Sequence, residues 1–332
     1  MSVNTRQAGI IGIGSAVPDR VLTNADVEKI IDTTDEWIKS RSGISERRIV
    51  EEGVATSDLA TKSAIRALEC AGLTAQDIDL IIVATITGDT PIPSTSCLVQ
   101  AKLGVSRTPA FDLQAGCAGF VYALSVASDL VRSGTYDKVL VIGADALSSV
   151  TNWDDRTTCV LFGDGAGAVI IAPVGEGEGL LSSCLGADGS GGDLLTIKAG
   201  GSKLPASVET VQNKQHCIEM NGREVFKFAV RIMGDAAVEA LEKCGMTPAD
   251  VDLFIPHQAN VRIIESAARR LELPEEKVFV NVEKYGNTSA GSIPLAMDEA
   301  YRSGALKKGD VVVLVGFGAG LTWAAGVLKW VI

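Results

Sequence analysis

The stretch ALECAGLTAQDIDLII, residues Ala67–Ile82, occurs a second time as ALEKCGMTPADVDLFI, residues Ala240–Ile255. The two copies lie 173 positions apart and are identical at nine of their sixteen positions. Each copy has the pattern of a helix end, a capping glycine, a short polar turn and an apolar strand. The repeat therefore predicts that one supersecondary unit is used twice in this chain.

A second pair of similar segments follows in the same order. FDLQAGCAGFVYALSVASDLVRSG (Phe111–Gly134) aligns with NVEKYGNTSAGSIPLAMDEAYRSG (Asn281–Gly304). Each is followed by an apolar strand, KVLVIGAD (Lys138–Asp145) or DVVVLVGFGAG (Asp310–Gly320). Alternating helices and β-branched strands are typical of mixed or parallel sheets that are covered by helices. We therefore expect an α/β protein.

The boundary between the two copies lies near Ala172–Gly179. The glycine-rich stretch that follows predicts loops and hairpin turns inserted between the copies. We accordingly predict two duplicated halves, residues 1–173 and residues 174–332.

Composition limits the class of protein. The 332 residues are 46% hydrophobic and 21% charged, as in a well-packed globular chain. No apolar run reaches the ~18–20 residues that span a bilayer, and the N-terminus lacks a signal pattern, so we expect a cytoplasmic protein outside the membrane. The net charge of −11 argues against nucleic-acid binding. Seven scattered cysteines without a CxxC pair indicate neither a disulfide framework nor a metal site.

Cys117 is the candidate nucleophile. The repeat places Cys117 opposite Asn287, each after a strand and at the start of a long helix. A buried helix directs its free N–H groups and partial positive charge at a thiol in this position, so we expect the thiol pKa to fall below its usual ~8.5. Gly116 and Gly119 leave room for a substrate beside the sulfur. The six other cysteines are interpreted as small core residues.

His257 is one of only two histidines and directly follows an apolar strand of the second copy. Its counterpart in the first copy is Ala84, so the shared architecture does not require an imidazole here. A lone histidine is usually structural, but a strand end in an α/β fold faces the crevice where ligands bind. This location favours a catalytic role, with Asn260 and Asn287 as further polar candidates, whereas His216 is interpreted as a surface residue.

Three glycine motifs have different interpretations. GIGSAVP (Gly12–Pro18) lacks the third glycine and the helix start of a dinucleotide site. GDGAGA (Gly163–Ala168) precedes a strand and is expected to form a tight turn. GFGAG (Gly316–Gly320) ends a strand, where backbone N–H groups near a cysteine would form an oxyanion hole.

Four motifs in the same order resemble one family. AGCAGF around Cys117, PHQAN around His257, YGNTSAGS around Asn287 and GFGAGLTW near the C-terminus resemble β-ketoacyl-acyl carrier protein synthase III, and the likeness covers essentially the whole chain. The resemblance implies a thiolase-like fold whose two halves form a layered αβαβα core. It also implies an initiating enzyme of bacterial fatty-acid synthesis, since elongating relatives use two active-site histidines and Asn287 takes the place of one.

The resemblance implies a decarboxylative condensation. Cys117 would take an acyl group from acyl-CoA, with the oxyanion held by backbone N–H groups of Cys117, Gly318 and Ala319. His257 and Asn287 would then support loss of CO₂ from malonyl-acyl carrier protein, and the product would be 3-ketoacyl-acyl carrier protein. Coenzyme A enters as part of the substrate, and no cofactor or metal is implied.

Other family positions carry over to residues of this chain. CoA contacts fall on Trp37, Arg41, Arg156 and Asn260, and contacts to the acidic carrier protein fall on Lys227, Arg262, Arg269 and Arg270. The same four cations also fit an ordinary solvated surface. Ile92 falls where the family places a residue that reaches the acyl pocket of the neighbouring subunit in a homodimer. An isoleucine is smaller than the aromatic residue of short-primer enzymes, so a branched or longer primer is expected.

Three alternative functions remain open at this point. A related thiolase-fold acyltransferase or a specialised polyketide or quinolone synthase would use the same scaffold. A thioester hydrolase with a Cys-His-Asn set would transfer the acyl group to water.

Overall fold

The structure is a computed structural model that describes residues 6–332. The strands are β1 (Gln7–Ala16), β2 (Val21–Thr23), β3 (Glu46–Arg48), β4 (Leu80–Ala84), β5 (Ala110–Leu113), β6 (Val139–Ala146), β7 (Asp164–Val174), β8 (Gly179–Ala187), β9 (Leu195–Ile197), β10 (Ile218–Met220), β11 (Leu253–Pro256), β12 (Val311–Gly318) and β13 (Thr322–Lys329). The helices are α1 (Asn24–Val27), α2 (Asp35–Ser42), α3 (Thr56–Ala71), α4 (Thr95–Lys102), α5 (Gly119–Arg132), α6 (Val208–Gln212), α7 (Gly222–Lys243), α8 (Val261–Arg270), α9 (Val282–Tyr285) and α10 (Ser292–Arg302).

Two larger sheets share one topology. The first has the strand order β1-β7-β6-β4-β5, and the second has the order β8-β13-β12-β11. In the first sheet β4 is parallel to β6, and the β6–β7 and β7–β1 pairings are antiparallel. In the second sheet β11 is parallel to β12, and the β12–β13 and β13–β8 pairings are antiparallel. A parallel bridge between Phe254 and Val278 lies where β5 pairs with β4 in the first sheet. The duplication inferred from the sequence is therefore present in the strand order.

The helices complete five layers. Helices α5 and α10 pack between the two sheets in the largest hydrophobic cluster. Helices α3 and α4 cover the outer face of the first sheet, and α7 and α8 cover the outer face of the second. This arrangement is the αβαβα core expected of a thiolase-like fold. Burial of apolar surface on both faces of each sheet explains why the strands are nearly continuous apolar runs.

The predicted boundary between the halves lies next to the turn from β7 to β8. Strand β7 ends at Val174 and β8 begins at Gly179, so the predicted boundary falls at the last residue of β7. The glycine-rich insertion predicted after it holds the small sheet of β9 and β10 and the short helix α6.

The glycine motifs differ in outcome. GIGSAVP lies largely within β1, where no helix begins. The tight turn predicted for GDGAGA is wrong, since Gly165 and Gly167 lie inside β7. A Cβ on Gly167 would stand 2.7 Å from the Pro294 carbonyl carbon of α10, so the glycine lets a helix pack against the strand backbone.

The interpretation of the six other cysteines as core residues is partly wrong. Cys159 and Cys184 are buried, and Cys217 and Cys244 are half-buried. Cys70 and Cys97 are exposed because they lie on the solvent-facing sides of α3 and α4. None of the helices within residues 6–332 is long and apolar enough to span a bilayer.

Candidate active site

Three elements from both halves bring Cys117, His257 and Asn287 to one cavity. Cys117 lies in a 3₁₀ turn that leads directly into α5. His257 is the first residue after β11, and Asn287 lies between α9 and the 3₁₀ turn that precedes α10. All three side chains line a cavity of about 100 Å³.

Cys117 also lines a second, larger cavity of about 270 Å³. Phe162 and Leu195 line both cavities as well, so Cys117 lies where they adjoin. The larger cavity is bounded mainly by apolar side chains, among them Ile86, Leu147 and Ile218. The sulfur therefore lies between this cavity and the one that His257 and Asn287 line.

The expectation of a lowered thiol pKa is wrong. Cys117 is 8% exposed, and burial raises its pKa to about 12. The charge of the nearby Asp145 carboxylate acts in the same direction. The helix begins where the sequence predicts it, and the largest influence on the thiol pKa is the cost of desolvating a thiolate. The resting thiol is therefore protonated at neutral pH.

Two glycines allow the Cys117 turn to approach the end of β12. Gly116 has a φ of +53°, and a Cβ there would stand 2.7 Å from the Ala319 nitrogen. A Cβ on Gly318 would overlap the Cys117 nitrogen. The side chain of Thr322 holds the same junction by donating to the Ala115 carbonyl at 2.8 Å. Backbone amides of the two predicted oxyanion segments therefore lie side by side.

His257 is buried and neutral. It is 1% exposed, and burial lowers its pKa to about 3. Its Nδ1 lies 2.6 Å from the Ser292 hydroxyl oxygen, which also accepts from the Gln258 amide at 3.4 Å. The Ser292 hydroxyl is able to donate its proton to Nδ1, and in that arrangement the imidazole carries its own proton on Nε2. The ring also packs edge-on against Phe317.

Asn287 is held by its backbone and by its side-chain oxygen. Its backbone amide donates to the Leu161 carbonyl at 2.8 Å, and its backbone carbonyl accepts from the Gly163 amide at 3.0 Å. Its Oδ1 accepts from the Ser289 amide at 2.8 Å. The Nδ2 hydrogens have no acceptor in the part of the chain that the structure describes, so they are available to a substrate oxygen.

Three of the four residues predicted to bind CoA form one cluster. The guanidinium groups of Arg41 and Arg156 each lie 5.0 Å from the centre of the Trp37 ring. Asn260 differs, because its Oδ1 caps α8 at the Arg262 amide and its Nδ2 donates to the Arg41 carbonyl at 2.8 Å. Asn260 thereby joins the cluster to the cavity that it also lines.

The four residues predicted to bind the carrier protein are exposed on α7 and α8, which pack together. Lys227 pairs with Glu224 at 2.8 Å, Arg269 lies 3.8 Å from Glu265, and Arg270 lies 3.5 Å from Asp235. Arg262 instead lies over the Phe226 ring at 5.3 Å.

Ile92 does not line either cavity of its own chain. It is 87% exposed, whereas Ile86 of the same connection lines the larger cavity. The Ile92 side chain is therefore available for a contact with a group outside its own chain.

Sequence reasoning missed Ser289, Ser292 and Asp145. Both serines belong to the motif YGNTSAGS, but their counterparts in the first copy are Gly119 and Tyr122, so the repeat gave no signal for them. Asp145 ends the apolar run of β6, and a carboxylate at a buried strand end was the available signal. No group of three or more His, Cys, Asp or Glu side chains within residues 6–332 is arranged to hold a metal ion.

An αβαβα fold that holds a cysteine at a helix start, a neutral histidine and an amide around one cavity defines a condensing acyltransferase of the thiolase-like class. Sequence models of 3-oxoacyl-[acyl-carrier-protein] synthase III and of its C-terminal region match residues 111–189 and 241–330. The β-ketoacyl-[acyl-carrier-protein] synthase III of Caldanaerobacter subterraneus is 58% identical over 323 residues, which are 97% of this chain and 98% of the relative. That of Clostridioides difficile is 56% identical and covers 99% of both chains.

A solved structure agrees with these relatives. The β-ketoacyl-[acyl carrier protein] synthase III of Thermus thermophilus superimposes with a TM-score of 0.91 at 52% identity, over 97% of this chain and 99% of that one. The chain therefore belongs to the β-ketoacyl-acyl carrier protein synthase III family, whose members are transferases of fatty-acid biosynthesis.

Proposed function

We propose that this protein condenses an acyl-CoA primer with malonyl-acyl carrier protein to give 3-ketoacyl-acyl carrier protein, and so initiates fatty-acid synthesis. The observation that carries the proposal is the position of Cys117 between two cavities. An acyl group on the sulfur would occupy the larger apolar cavity, while the second substrate enters beside His257 and Asn287.

The first half-reaction moves the acyl group to the enzyme. The Cys117 sulfur attacks the thioester carbonyl, and collapse of the tetrahedral intermediate breaks the bond to the CoA sulfur. The backbone amides of Cys117, Gly318 and Ala319 are the proposed donors to the oxyanion. Their support is the close approach of the two glycine-containing segments, which leaves no side chain between the backbones.

The second half-reaction forms the carbon–carbon bond. Loss of CO₂ from the malonyl group leaves an enolate whose negative oxygen needs hydrogen-bond donors. The Nε2 proton of His257 and the Nδ2 hydrogens of Asn287 are suited to this task, since a neutral donor can stabilise an enolate without first being protonated. The enolate carbon then attacks the acyl group and releases Cys117.

Two surfaces are proposed to hold the substrates outside the cavity. The cluster of Trp37, Arg41 and Arg156 offers an aromatic face and two cations to the nucleotide of CoA, with Asn260 beside it. The exposed cations Lys227, Arg262, Arg269 and Arg270 are proposed to meet the acidic carrier protein. Arg262 should contribute most, because the other three already have carboxylate neighbours.

A homodimer is part of the proposal. Strand β5 is at the edge of its sheet and Phe111 on it is 40% exposed, which suits pairing with a second copy. The exposed Ile92 would then reach the partner's acyl cavity and favour a branched or longer primer. We further propose a cytoplasmic enzyme that requires no metal or cofactor and has no nucleic-acid partner.

Product analysis tests the proposed function. With acetyl-CoA and malonyl-acyl carrier protein, we expect equal amounts of CO₂ and 3-ketobutyryl-acyl carrier protein. Free acetate with no ketoacyl product would instead indicate the thioester hydrolase. Transfer of the acetyl group without CO₂ release would indicate a non-decarboxylating acyltransferase. In parallel, exclusive use of acetyl-CoA over isobutyryl-CoA would contradict the interpretation of Ile92.

A further inference from the structure

Three elements meet at the buried side of Cys117. They are the 3₁₀ turn of Gly116–Ala118, the 3₁₀ turn of Ser289–Gly291 and the end of β6, which carries Asp145. The Ser289 side chain lines the larger cavity together with Cys117. The next residue of the same turn, Ala290, donates its amide to Asp145 Oδ2 at 3.2 Å, so the turn also touches the carboxylate.

The Ser289 hydroxyl is buried without a partner. The residue is 1% exposed, and its Oγ makes no hydrogen bond of acceptable geometry to any residue of the described chain. A buried hydroxyl in this state costs free energy, so it needs an explanation. Rotation about the Cα–Cβ bond of Ser289 would move the hydroxyl towards the Cys117 thiol or towards the Asp145 carboxylate.

The backbone of Ser289 adds a second cost. Its φ is +50°, a conformation that is unfavourable by roughly 1–2 kcal/mol for a residue other than glycine. The turn is held by the Ser289 amide, which donates to Asn287, and by the Gly291 amide, which donates to Thr288 at 3.0 Å. Strain of this kind is concentrated at functional sites, where it presents a side chain in a required place.

Asp145 has one saturated oxygen and one that is largely free. Its Oδ1 accepts four hydrogen bonds of 2.8–3.1 Å from the Thr85 hydroxyl, the Ile86 amide, and the amide and hydroxyl of Thr87. Its Oδ2 accepts a single long bond of 3.2 Å from the Ala290 amide within the described residues. The free lone pairs of Oδ2 are therefore on the side of the Ser289 turn.

We propose that Ser289 relays the thiol proton of Cys117 to Asp145 when the sulfur attacks the primer. This inference depends on the acyl-Cys117 intermediate of the proposed function and adds the proton acceptor that a protonated thiol requires. Ser289 shares the cavity of the reacting sulfur, and Asp145 acts through Ser289.

The protons balance over the cycle. As the sulfur–carbon bond forms, the thiol proton moves to the Ser289 oxygen and the Ser289 hydroxyl proton moves to Asp145 Oδ2. CoA leaves as a thiolate and takes a proton from solvent. When the enolate attacks the acyl group and the bond to Cys117 breaks, Asp145 returns its proton through Ser289 to the sulfur.

Electrostatics favour this exchange over deprotonation to solvent. Burial raises the pKa of both Cys117 and Asp145, because each would have to carry its charge away from water. Moving the proton from thiol to carboxylate keeps one negative charge in the site, whereas losing it to solvent would leave two. The other ionisable groups nearby are Asp164, which interacts with Asp145, and the neutral His257.

Alkylation of Cys117 by iodoacetamide tests the relay without any substrate. At pH 7 we expect Ser289→Ala and Asp145→Asn each to slow alkylation by about 100-fold, the lower end of a general-base contribution. The Asp145→Asn variant is decisive because the relay and a simple charge effect predict opposite changes in the alkylation rate. If Asp145 acts only as a nearby negative charge, its neutralisation would favour the thiolate and speed alkylation, and that result would overturn the proposal.

Matched controls separate the relay from general damage. Ser128→Ala removes another buried hydroxyl that lacks a partner in the described chain, and Asp298→Asn neutralises another buried carboxylate. Both should alkylate at the wild-type rate, and an unchanged rate in Ser289→Ala would reject the relay. Failure of the wild type to form an acyl adduct with acetyl-CoA would reject the proposed function instead, since alkylation does not depend on it.

Discussion

The turns that carry Cys117 and Asn287 occupy the same place in the two halves of the molecule. Each follows a glycine with positive φ, +53° at Gly116 and +64° at Gly286, and each leads to one of the two central helices. The two turns differ in the number of residues between the functional side chain and the start of the helix. Helix α5 begins two residues after Cys117, whereas a further 3₁₀ turn separates Asn287 from α10.

Because of this difference, Cys117 is placed as an accessible nucleophile and Asn287 is placed as a hydrogen-bond donor of fixed orientation. The Cys117 sulfur lies at the helix start and between two cavities, where access matters most. Asn287 lies away from the helix start, and three hydrogen bonds of its backbone and Oδ1 fix its orientation. The duplicated fold thus offers two equivalent positions, of which one suits a nucleophile and the other suits a donor to an enolate.

The largest effect that tests this comparison is expected at the second turn. Asn287→Ala should reduce formation of ketoacyl product by about 10²–10³-fold, the usual loss for one donor to a developing oxyanion. Acetylation of Cys117 should stay close to the wild-type rate, as measured by rapid quenching and intact mass. The exposed Asn213→Ala serves as the control. Equal losses in both half-reactions would show that the two turns do not divide the work.

The buried His257 predicts a pH-dependent stability. Its folded pKa of about 3 is below the unfolded value of 6.5, so its contribution is full above pH 6.5 and is lost as pH falls towards 3. Between pH 7 and pH 5 the wild type should lose about 2 kcal/mol more unfolding free energy than His257→Gln. Denaturant unfolding at pH 7, 6 and 5 measures this difference. Parallel curves would mean that His257 is not held neutral by burial.

A smaller effect is expected from the partner of His257. Ser292→Ala removes the hydroxyl that lies 2.6 Å from Nδ1 of His257 and that we propose holds the imidazole proton on Nε2. Condensation should therefore slow by about 10-fold, which corresponds to the loss of one hydrogen bond. The acetylation step should not change. Ser128→Ala again provides the matched loss of a buried serine hydroxyl. A slower acetylation step in Ser292→Ala would show that Ser292 supports acyl transfer to Cys117 and not only the condensation step.

The repeat allowed most of the fold to be predicted. Helix, strand, long helix and strand recur with the same spacing, and the two sheets accordingly share a strand order. The same pattern placed Cys117 at a helix start and His257 at a strand end, because hydrophobic periodicity marks where elements end. It did not show that Gly165 and Gly167 lie within β7, since their role is to let α10 approach from the other half.

The finer features of the site depend on contacts between distant residues. Asp145 meets a connection some 60 positions away and a turn that lies 145 positions away, and no local pattern predicts such contacts. The sign of the Cys117 pKa shift depends on how deeply the thiol is buried, which a helix-start argument does not include. The tautomer of His257 depends on one serine rotamer.

The intact mass of the protein after mixing with acetyl-CoA shows directly which residue carries the acyl group. We expect one acetyl adduct on the wild type and on Asn287→Ala, and none on Cys117→Ala. An adduct that persists in Cys117→Ala, or that disappears in Asn287→Ala, would contradict the assignment of the two turns to the two half-reactions.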